Sequence, residues 1–211
     1  MLNKQRIAML GAEFLGASIL AMVALVMTNT TSVTYFIATS VGVAWGLVYL
    51  VFGSISGGHA NPAVTFGLWT ARKINTLRAV GYIAAQMLGG LAAWKLYEYL
   101  TDKSVPAQTV DFSTPIWLAE VIGTFILTLG IAAALSRKLD NLQTAAVFGT
   151  AVFIGMLVAA TASAGLLNPA LALGLHSWAS VYVFGPLVGA VLGVNFYTML
   201  FAGESRTRSH K

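Results

Sequence analysis

Two stretches of the sequence decide the fold: SGGHANPAVT at residues 56–65 and SAGLLNPALA at residues 163–172. Neither contains Asp, Glu, Lys or Arg, and both contain the tripeptide Asn-Pro-Ala. Asparagine is a favoured N-cap residue, and proline is well tolerated in the first helical turn. We therefore expect Asn61 and Asn168 each to cap a short helix. A single Asn-Pro-Ala would be an ordinary turn, whereas two copies at equivalent positions of a repeat indicate a shared structural element.

The composition indicates an integral membrane protein. Of 211 residues, 57% are hydrophobic and 9% are charged, whereas a typical soluble domain has roughly 25% charged residues. Glu13 is the only charged residue between Ile7 and Ala71, and residues 141–203 contain none. The sequence has no cysteine, which excludes disulfides, a thiol nucleophile and thiolate metal ligands.

Six segments are long and apolar enough to cross about 30 Å of hydrocarbon as helices. They are residues 7–27, 33–53, 77–98, 115–135, 142–162 and 180–202. This arrangement puts ten basic residues on one side of the membrane: Lys4, Arg6, Arg72, Lys73, Arg78, Arg137, Lys138, Arg206, Arg208 and Lys211. Only Lys95 and Lys103 fall on the other side, so we expect a multi-pass protein of the cell (plasma or inner) membrane with both termini in the cytoplasm.

The sequence also contains an internal repeat. An offset of 107 positions superposes Ala12-Glu13 on Ala119-Glu120, Gly42 on Gly149, and Asn61-Pro62-Ala63 on Asn168-Pro169-Ala170. Each half has three spans, so the second half enters the membrane from the opposite face, as in the inverted repeats of transport proteins. We expect one all-α membrane domain over residues 1–211, with repeats at about 7–98 and 115–202 and a linker at 101–114.

The stretches around the two motifs must start and end on the same side of the membrane. For the first, we expect extended backbone at residues 56–60 and a helix at 62–71, roughly 15 Å long. That length is half a bilayer, and non-helical backbone survives at this depth only beside protein or a water-filled cavity. Two such re-entrant half-helices, entering from opposite faces, predict an aqueous path.

Residues 56–65 resemble the first signature loop of the aquaporins, the major intrinsic protein family. Residues 12–16 and 119–123 resemble the family's first and fourth helices, Gln86 its third, and residues 185–190 its sixth. The resemblance covers residues 7–202. It implies six tilted helices plus two half-helices, an inverted repeat, one pore per subunit and a homotetramer in the lipid bilayer.

In this arrangement the pore motifs are Asn61, Pro62, Ala63, Asn168, Pro169 and Ala170. Each half-helix carries about +0.5 charge at its N-terminus, which repels cations, and the two asparagine amides donate hydrogen bonds to a solute. Backbone carbonyls would accept hydrogen bonds from the same solute, namely those of Gly57, Gly58, His59, Gly165, Leu166 and Leu167. The expected partners are therefore water and small uncharged solutes.

The sequence departs from the family at the outer constriction. Most relatives carry an arginine directly after the second Asn-Pro-Ala, and this sequence has Leu171. The other constriction positions resemble Val41, Met156 and Gly165, so the filter is uncharged. We expect permissive passage of small neutral solutes, with glycerol, urea, ammonia and dissolved gas as candidates. The alternatives are a hydrophobic gate closed by Leu171 and Met156, and ordinary water selectivity.

Glu13 and Glu120 are ionisable residues inside spans, and such residues are functional candidates. As proton-coupling carboxylates they would indicate a secondary transporter, whereas the family resemblance implies that they accept hydrogen bonds from the re-entrant loops. A non-conducting structural protein is a third possibility. We expect no enzyme activity, cofactor, metal site or nucleic-acid binding, and residues 53–57 lack the central serine of a nucleophile elbow.

Overall fold

The computed structural model describes residues 3–202. Over these residues the chain is helical and has no strand. The eight helices are α1 Lys4–Thr28, α2 Thr34–Ser56, α3 Pro62–Thr70, α4 Thr76–Thr101, α5 Thr114–Arg137, α6 Asn141–Ala159, α7 Pro169–Gly174 and α8 Ser180–Leu200. Three of the ten basic residues that predict the membrane orientation lie outside the described residues, namely Arg206, Arg208 and Lys211.

Local capping explains where several long helices begin. The side chains of Asn3 and Asn75 accept hydrogen bonds from the backbone N–H groups three residues later, at the starts of α1 and α4. At the start of α6, Asp140 and Gln143 form a reciprocal capping box. These side chains satisfy backbone donors that have no partner within the helix.

The six long helices correspond to the six predicted spans. Among the described residues, α1, α2, α5, α6 and α8 are long and apolar enough to cross a membrane. The sixth, α4, is less apolar because Arg78, Gln86 and Lys95 interrupt it. Its 26 residues extend about 39 Å, which still exceeds the hydrocarbon thickness. Arg78 lies in its first turn and Lys95 near its other end, so both charges can reach the interface.

Helix packing repeats between the two halves of the chain. Helix α1 packs against α2 and α4, as α5 packs against α6 and α8, and α2 packs against α6 to join the halves. The short helices follow the same rule, since α3 packs on α8 and α4 while α7 packs on α4 and α8. This is the predicted fold class: six long helices and two half-helices in an inverted repeat.

Two repeat-related glycines bring the halves into backbone contact where α2 crosses α6. A Cβ atom on Gly42 would lie 2.7 Å from the carbonyl oxygen of Gly149, and a Cβ on Gly149 would lie 2.6 Å from the carbonyl oxygen of Gly42. Small residues permit such close approach between membrane helices. The pseudo-twofold axis therefore passes between these glycines.

The outer face of the bundle is apolar. Large side chains such as Val43, Leu77 and Leu142 are exposed on the long helices, and a soluble monomer rarely exposes so much contiguous apolar surface. Polar side chains such as Glu13, Gln86 and Glu120 are instead fully buried in the interior. This distribution is that of a multi-pass membrane protein, with lipid as its outer solvent.

Candidate functional site

Both short helices begin at an Asn-Pro-Ala motif. Asn61 Oδ1 accepts hydrogen bonds from Ala63 N (2.8 Å) and Val64 N (3.4 Å), and Asn168 Oδ1 accepts one from Ala170 N (2.9 Å). In each helix proline occupies the first turn. The predicted helix starts agree with these caps. The first half-helix ends at Thr70, one residue earlier than predicted, and the second has only six residues.

The prediction of extended backbone at residues 56–60 is wrong. Ser56 is the last residue of α2, and Gly57, Gly58 and Ala60 have positive φ values of 98°, 60° and 46°. Residues in the left-handed conformation turn the chain sharply, and glycine adopts this conformation without the steric penalty of a Cβ. The turn directs the N–H groups of His59 and Ala60 at one carboxylate.

That carboxylate belongs to Glu13, which is fully buried. Its Oε1 accepts hydrogen bonds from Ser56 Oγ (2.6 Å) and His59 N (3.0 Å). Its Oε2 accepts from Ala60 N (2.8 Å) and Gln86 Nε2 (2.6 Å). A buried carboxyl group is costly unless its oxygens are hydrogen-bonded, and here each oxygen has two donors. Glu13 thereby joins α1, the first loop and α4.

Glu120 makes the equivalent contacts in the second half. It accepts hydrogen bonds from the hydroxyl of Ser163, from Leu166 N (2.9 Å) and from Leu167 N (2.8 Å). Each donor lies 107 positions after its counterpart around Glu13. The two loops are therefore bound to their own halves by the same bonds.

The tips of the two loops bind each other. Asn61 Nδ2 donates to the carbonyl oxygen of Leu167 (2.9 Å), and Asn168 Nδ2 donates to the carbonyl oxygen of Ala60 (3.0 Å). An amide nitrogen carries two hydrogens, so each asparagine keeps a second N–H beyond this reciprocal pair. The structure thus brings together the two motifs that the sequence places more than a hundred residues apart.

Some of the predicted pore carbonyls already have a protein donor. Leu167 O accepts from Asn61, and Gly58 O accepts from Trp45 Nε1 (3.0 Å). A carbonyl oxygen has a second lone pair, so these bonds do not exhaust either acceptor. The other predicted pore carbonyls lie in the same two loops. Gly57, the C-cap of α2, and His59 are in the first loop, and Leu166, the equivalent of His59, is in the second.

The four filter candidates come from four different parts of the fold, namely two long helices, the second loop and α7. Val41 lies in α2, Met156 in α6 and Leu171 in the first turn of α7. All three side chains belong to the central hydrophobic cluster and are only 1–2% exposed. Gly165 has φ of 65°, and a Cβ there would lie 2.9 Å from Met156 O. Asn61 is 0% and Asn168 2% exposed, so the side chains of both motifs are buried as well.

Sequence reasoning missed the contacts that hold the linker over the second loop. The Nδ1 atom of His176 donates to Val105 O (2.8 Å), because a carbonyl can only accept, and Gln108 N donates to His176 O (2.9 Å). The ring of Trp94 lies against that of His176, with centroids 4.0 Å apart. Two of these three contacts use backbone groups of the linker, so no pattern of side chains in the sequence predicts them.

The chemistry available at the site is hydrogen bonding among buried and mostly apolar side chains. Within residues 3–202 no group of three or more His, Cys, Asp or Glu side chains is placed to hold a metal ion. The two buried carboxylates are occupied by loop donors. What remains toward the centre is a pair of amide donors, loop carbonyls and aliphatic side chains.

Comparisons with known proteins agree with this geometry. The family model for the major intrinsic protein matches residues 3–197. A probable TIP-type aquaporin of Medicago truncatula is 34% identical over 182 residues, covering 81% of this chain and 69% of the relative. Aquaporin PIP2-4 of Oryza sativa subsp. japonica is 33% identical over 196 residues, covering 78% and 68% respectively. In fold, the chain is similar to the X-ray structure of the aquaglyceroporin from Plasmodium falciparum, with a TM-score of 0.75, 23% identity, and 95% and 98% coverage.

Proposed function

Because the chain belongs to the major intrinsic protein family, and is therefore a passive channel for water or small solutes, we propose that its solutes pass between the tips of α3 and α7. The observation that carries this proposal is the reciprocal pair of bonds between each asparagine amide and the opposite loop. The second N–H of Asn61 and of Asn168 is the donor offered to a passing solute. Lined in this way, the passage selects for small uncharged molecules that accept hydrogen bonds.

Cation exclusion follows from the directions of the half-helices. Each helix presents its positive end at the motif, so a proton or metal ion approaching the tips is repelled. Helix α3 has nine residues and α7 six, so each has a complete first turn behind its motif. A water molecule held by both amides also cannot keep the neighbours needed for proton conduction.

We place the selectivity filter at Val41, Met156, Gly165 and Leu171. Without an arginine this ring offers water no charged donor to replace its hydration, so discrimination rests on width and on apolar contact. The filter is then permissive to small neutral solutes such as glycerol or urea whenever it is wide enough. The solute preference is set by how far Met156 and Leu171 move aside, and Met is among the most flexible apolar side chains.

A hydrophobic gate is a second candidate, favoured by one observation. The side chains of Val41, Met156 and Leu171 are 1–2% exposed, so little of this ring is accessible to water in the described conformation. An apolar constriction of this kind gates by excluding water. In this version the same ring is the gate, and conduction requires a rotamer change in Met156 or Leu171.

The buried carboxylates fit loop support better than proton coupling. Glu13 accepts four hydrogen bonds and Glu120 three, and every donor is a neutral group of a loop or of a neighbouring helix. A coupling carboxylate has to exchange its proton with water along the transport path. We therefore assign both glutamates a positioning role and set the secondary transporter aside.

The proposed subunit is a single channel domain over residues 1–211 that functions in a homotetramer. Its repeats occupy about 7–98 and 115–202. The subunit lies in the plasma or inner membrane, and both of its termini face the cytoplasm. The basic residues at the starts of α1 and α4 and at the end of α5 support this orientation. Native mass spectrometry tests the tetramer, and cysteine labelling of Lys4→Cys and Lys103→Cys from each side tests the orientation.

Stopped-flow light scattering of proteoliposomes tests the channel. Vesicles containing the protein are expected to shrink faster than empty vesicles in hyperosmotic solution, and to take up at least one of glycerol and urea without any dependence on an ion gradient. If rates for water, glycerol and urea all equal those of empty vesicles, the permissive filter is wrong and the closed hydrophobic gate is favoured. Flux that requires a Na⁺ or H⁺ gradient would instead restore the transporter.

Two opposite changes at Leu171 test the filter. Leu171→Ala enlarges the ring and is expected to raise glycerol and urea permeability relative to water. Leu171→Arg narrows it, adds donors and is expected to lower the same ratios. If the ring is a closed gate, Leu171→Ala raises water permeability as well. Leu142→Ala, at an exposed position on α6, is the matched control, and unchanged ratios in both Leu171 variants would contradict the filter assignment.

A further inference from the structure

A groove between the first turns of α1 and α4 lies outside the conduit. Its volume is about 360 Å³, and Met9 and Leu10 of α1 face Leu77 and Val80 of α4 across it. Leu77 is 72% exposed and Val80 62% exposed, whereas Tyr82, which forms the inner wall, is buried. The groove is therefore apolar and opens toward the lipid rather than toward the pore.

Arginines occupy the end of the groove nearer the membrane surface. Arg6 and Arg78 both line it. Arg6 precedes Met9 and Leu10 of α1 by about one turn, or roughly 5 Å, and Arg78 lies between Leu77 and Val80 near the start of α4. Both side chains are exposed. A helix that begins at the membrane surface holds its first turn at the depth of the lipid headgroups.

A second, more polar cavity adjoins the groove and enlarges the basic area. It has a volume of about 790 Å³, shares Asn75 and Arg78 with the groove, and is also lined by Arg72 and Lys73. Arg6, Arg72, Lys73 and Arg78 form what we call the basic cluster. Among residues 3–202 the only ion pair joins Lys95 to Glu98, near the opposite end of α4. Within that described part of the chain, the basic cluster thus has no carboxylate at ion-pair distance.

We propose that the groove and the basic cluster bind an anionic phospholipid of the adjacent leaflet. Its phosphate lies between Arg6 and Arg78, and one acyl chain lies along Met9, Leu10, Leu77 and Val80. Arginine matches phosphate geometry with paired hydrogen bonds, and basic pockets between membrane helices are suited to anionic headgroups. A phospholipid is the one class of occupant that supplies both the charge and the adjoining apolar chain, whereas a soluble phosphate would leave the groove empty.

Native mass spectrometry of the purified protein tests the site with lipids of matched acyl chains. Phosphatidylglycerol is expected to remain bound in preference to phosphatidylcholine, and the preference is expected to fall about fivefold for each arginine removed in Arg6→Gln, Arg78→Gln and the double variant. The control is Arg137→Gln/Lys138→Gln, which removes the same charge at the end of α5, away from both cavities. It is expected to keep the preference of the unmodified protein.

Three outcomes would overturn the proposal. Equal retention of the two lipids by the unmodified protein would show that charge does not matter at this surface. An equal loss in the control variant would show diffuse attraction rather than a site. Displacement of phosphatidylglycerol by millimolar inorganic phosphate would show a site for the free anion, without a role for the groove. The first and third comparisons use the unmodified protein and hold even if a variant fails to fold.

Discussion

The two re-entrant loops share their backbone hydrogen bonds but differ in the side chains around them. Around the first loop, Gln86 donates to both Glu13 and Thr65, and Thr65 contacts the ring nitrogen of His59. At the position equivalent to Gln86 in the second half, the sequence has Pro186, because the packing glycines Gly89 of α4 and Gly189 of α8 make equivalent contacts with α1 and α5. The first loop therefore lies in a polar network that the second loop lacks.

The second loop is stabilised from outside its own half. The linker between the repeats reaches it through the hydrogen bonds that join Val105 and Gln108 to His176, and α4 reaches it through the ring of Trp94. The bonds common to both loops are the glutamate bonds and the crosswise asparagine bonds. The remaining contacts differ between the two loops.

The largest expected effect comes from removing either glutamate. Glu13→Ala and Glu120→Ala each leave two buried backbone N–H groups without an acceptor, which costs about 1–3 kcal/mol per group. We expect each variant to lose about 2–6 kcal/mol of stability and most of its water permeability, measured by thermal unfolding in detergent and by stopped flow. Asp111→Asn, at an exposed linker position, is the control. Retained stability in only one of the two variants would show that the loops do not depend equally on their shared bonds.

The next effect is expected to be the same in both halves. Gly42→Ala and Gly149→Ala each force a Cβ against the opposite glycine carbonyl at 2.7 Å or less, and such overpacking costs about 1–3 kcal/mol. Gly11→Ala is a matched control because a Cβ there meets nothing within 4 Å. Melting temperatures are expected to fall similarly for the two axial variants. A large difference between them would place the pseudo-twofold axis elsewhere.

Conservative replacements of the two glutamates should differ in their effect on stability. In both Glu13→Gln and Glu120→Gln one backbone N–H faces an amide NH₂ instead of an oxygen. In the first half, Gln86 can turn its amide to accept from the new residue, because its Oε1 has no partner in the described structure. We expect Glu120→Gln to be less stable than Glu13→Gln by about 1 kcal/mol, the value of one hydrogen bond. In a Gln86→Ala background the difference should disappear, and its persistence would contradict this explanation.

The smallest effect concerns the linker. His176→Asn keeps a residue that tolerates the positive φ of 52° at this position but removes the ring contact and the bond to Val105. The expected loss of stability is about 0.5 kcal/mol, with faster proteolytic cleavage within residues 102–113. Gln108→Ala, which preserves the backbone bond from Gln108 N to His176 O, is the control. Equal cleavage rates in all three proteins would mean that the linker is not held through the ring of His176.

The sequence predicted those parts of the fold that depend on local rules. Hydropathy located the six long helices, and the Asn-Pro pairs located the start of each half-helix, because capping and transfer from water act over a few residues. The left-handed backbone at Gly57, Gly58 and Ala60 was not predicted, since it is determined by a carboxylate more than forty residues away. The bond from Trp45 Nε1 to Gly58 O was not predicted either, because its acceptor is a backbone carbonyl and leaves no mark in the sequence.

The candidate site was predictable only in part. The reciprocal bonds of Asn61 and Asn168 follow from the repeat once the loops are known to meet, but the partners are backbone carbonyls and leave no mark in the sequence. The filter positions Val41 and Met156 depend on the rotation of two long helices, which hydropathy does not fix. Their roles, and those of Gly165 and Leu171, remain predictions for the permeability measurements.

The crosswise bonds at the loop tips also constrain how the protein is made. When Asn61 leaves the ribosome its partner Leu167 is still untranslated, and at about 5–20 residues per second the wait lasts roughly 5–20 seconds. During that interval the amide of Asn61 and the carbonyl of Ala60 need water, because hydrocarbon offers neither a partner. The first loop therefore reaches its final depth only after the second half has entered the bilayer, so the last step of biogenesis is the joint burial of both tips.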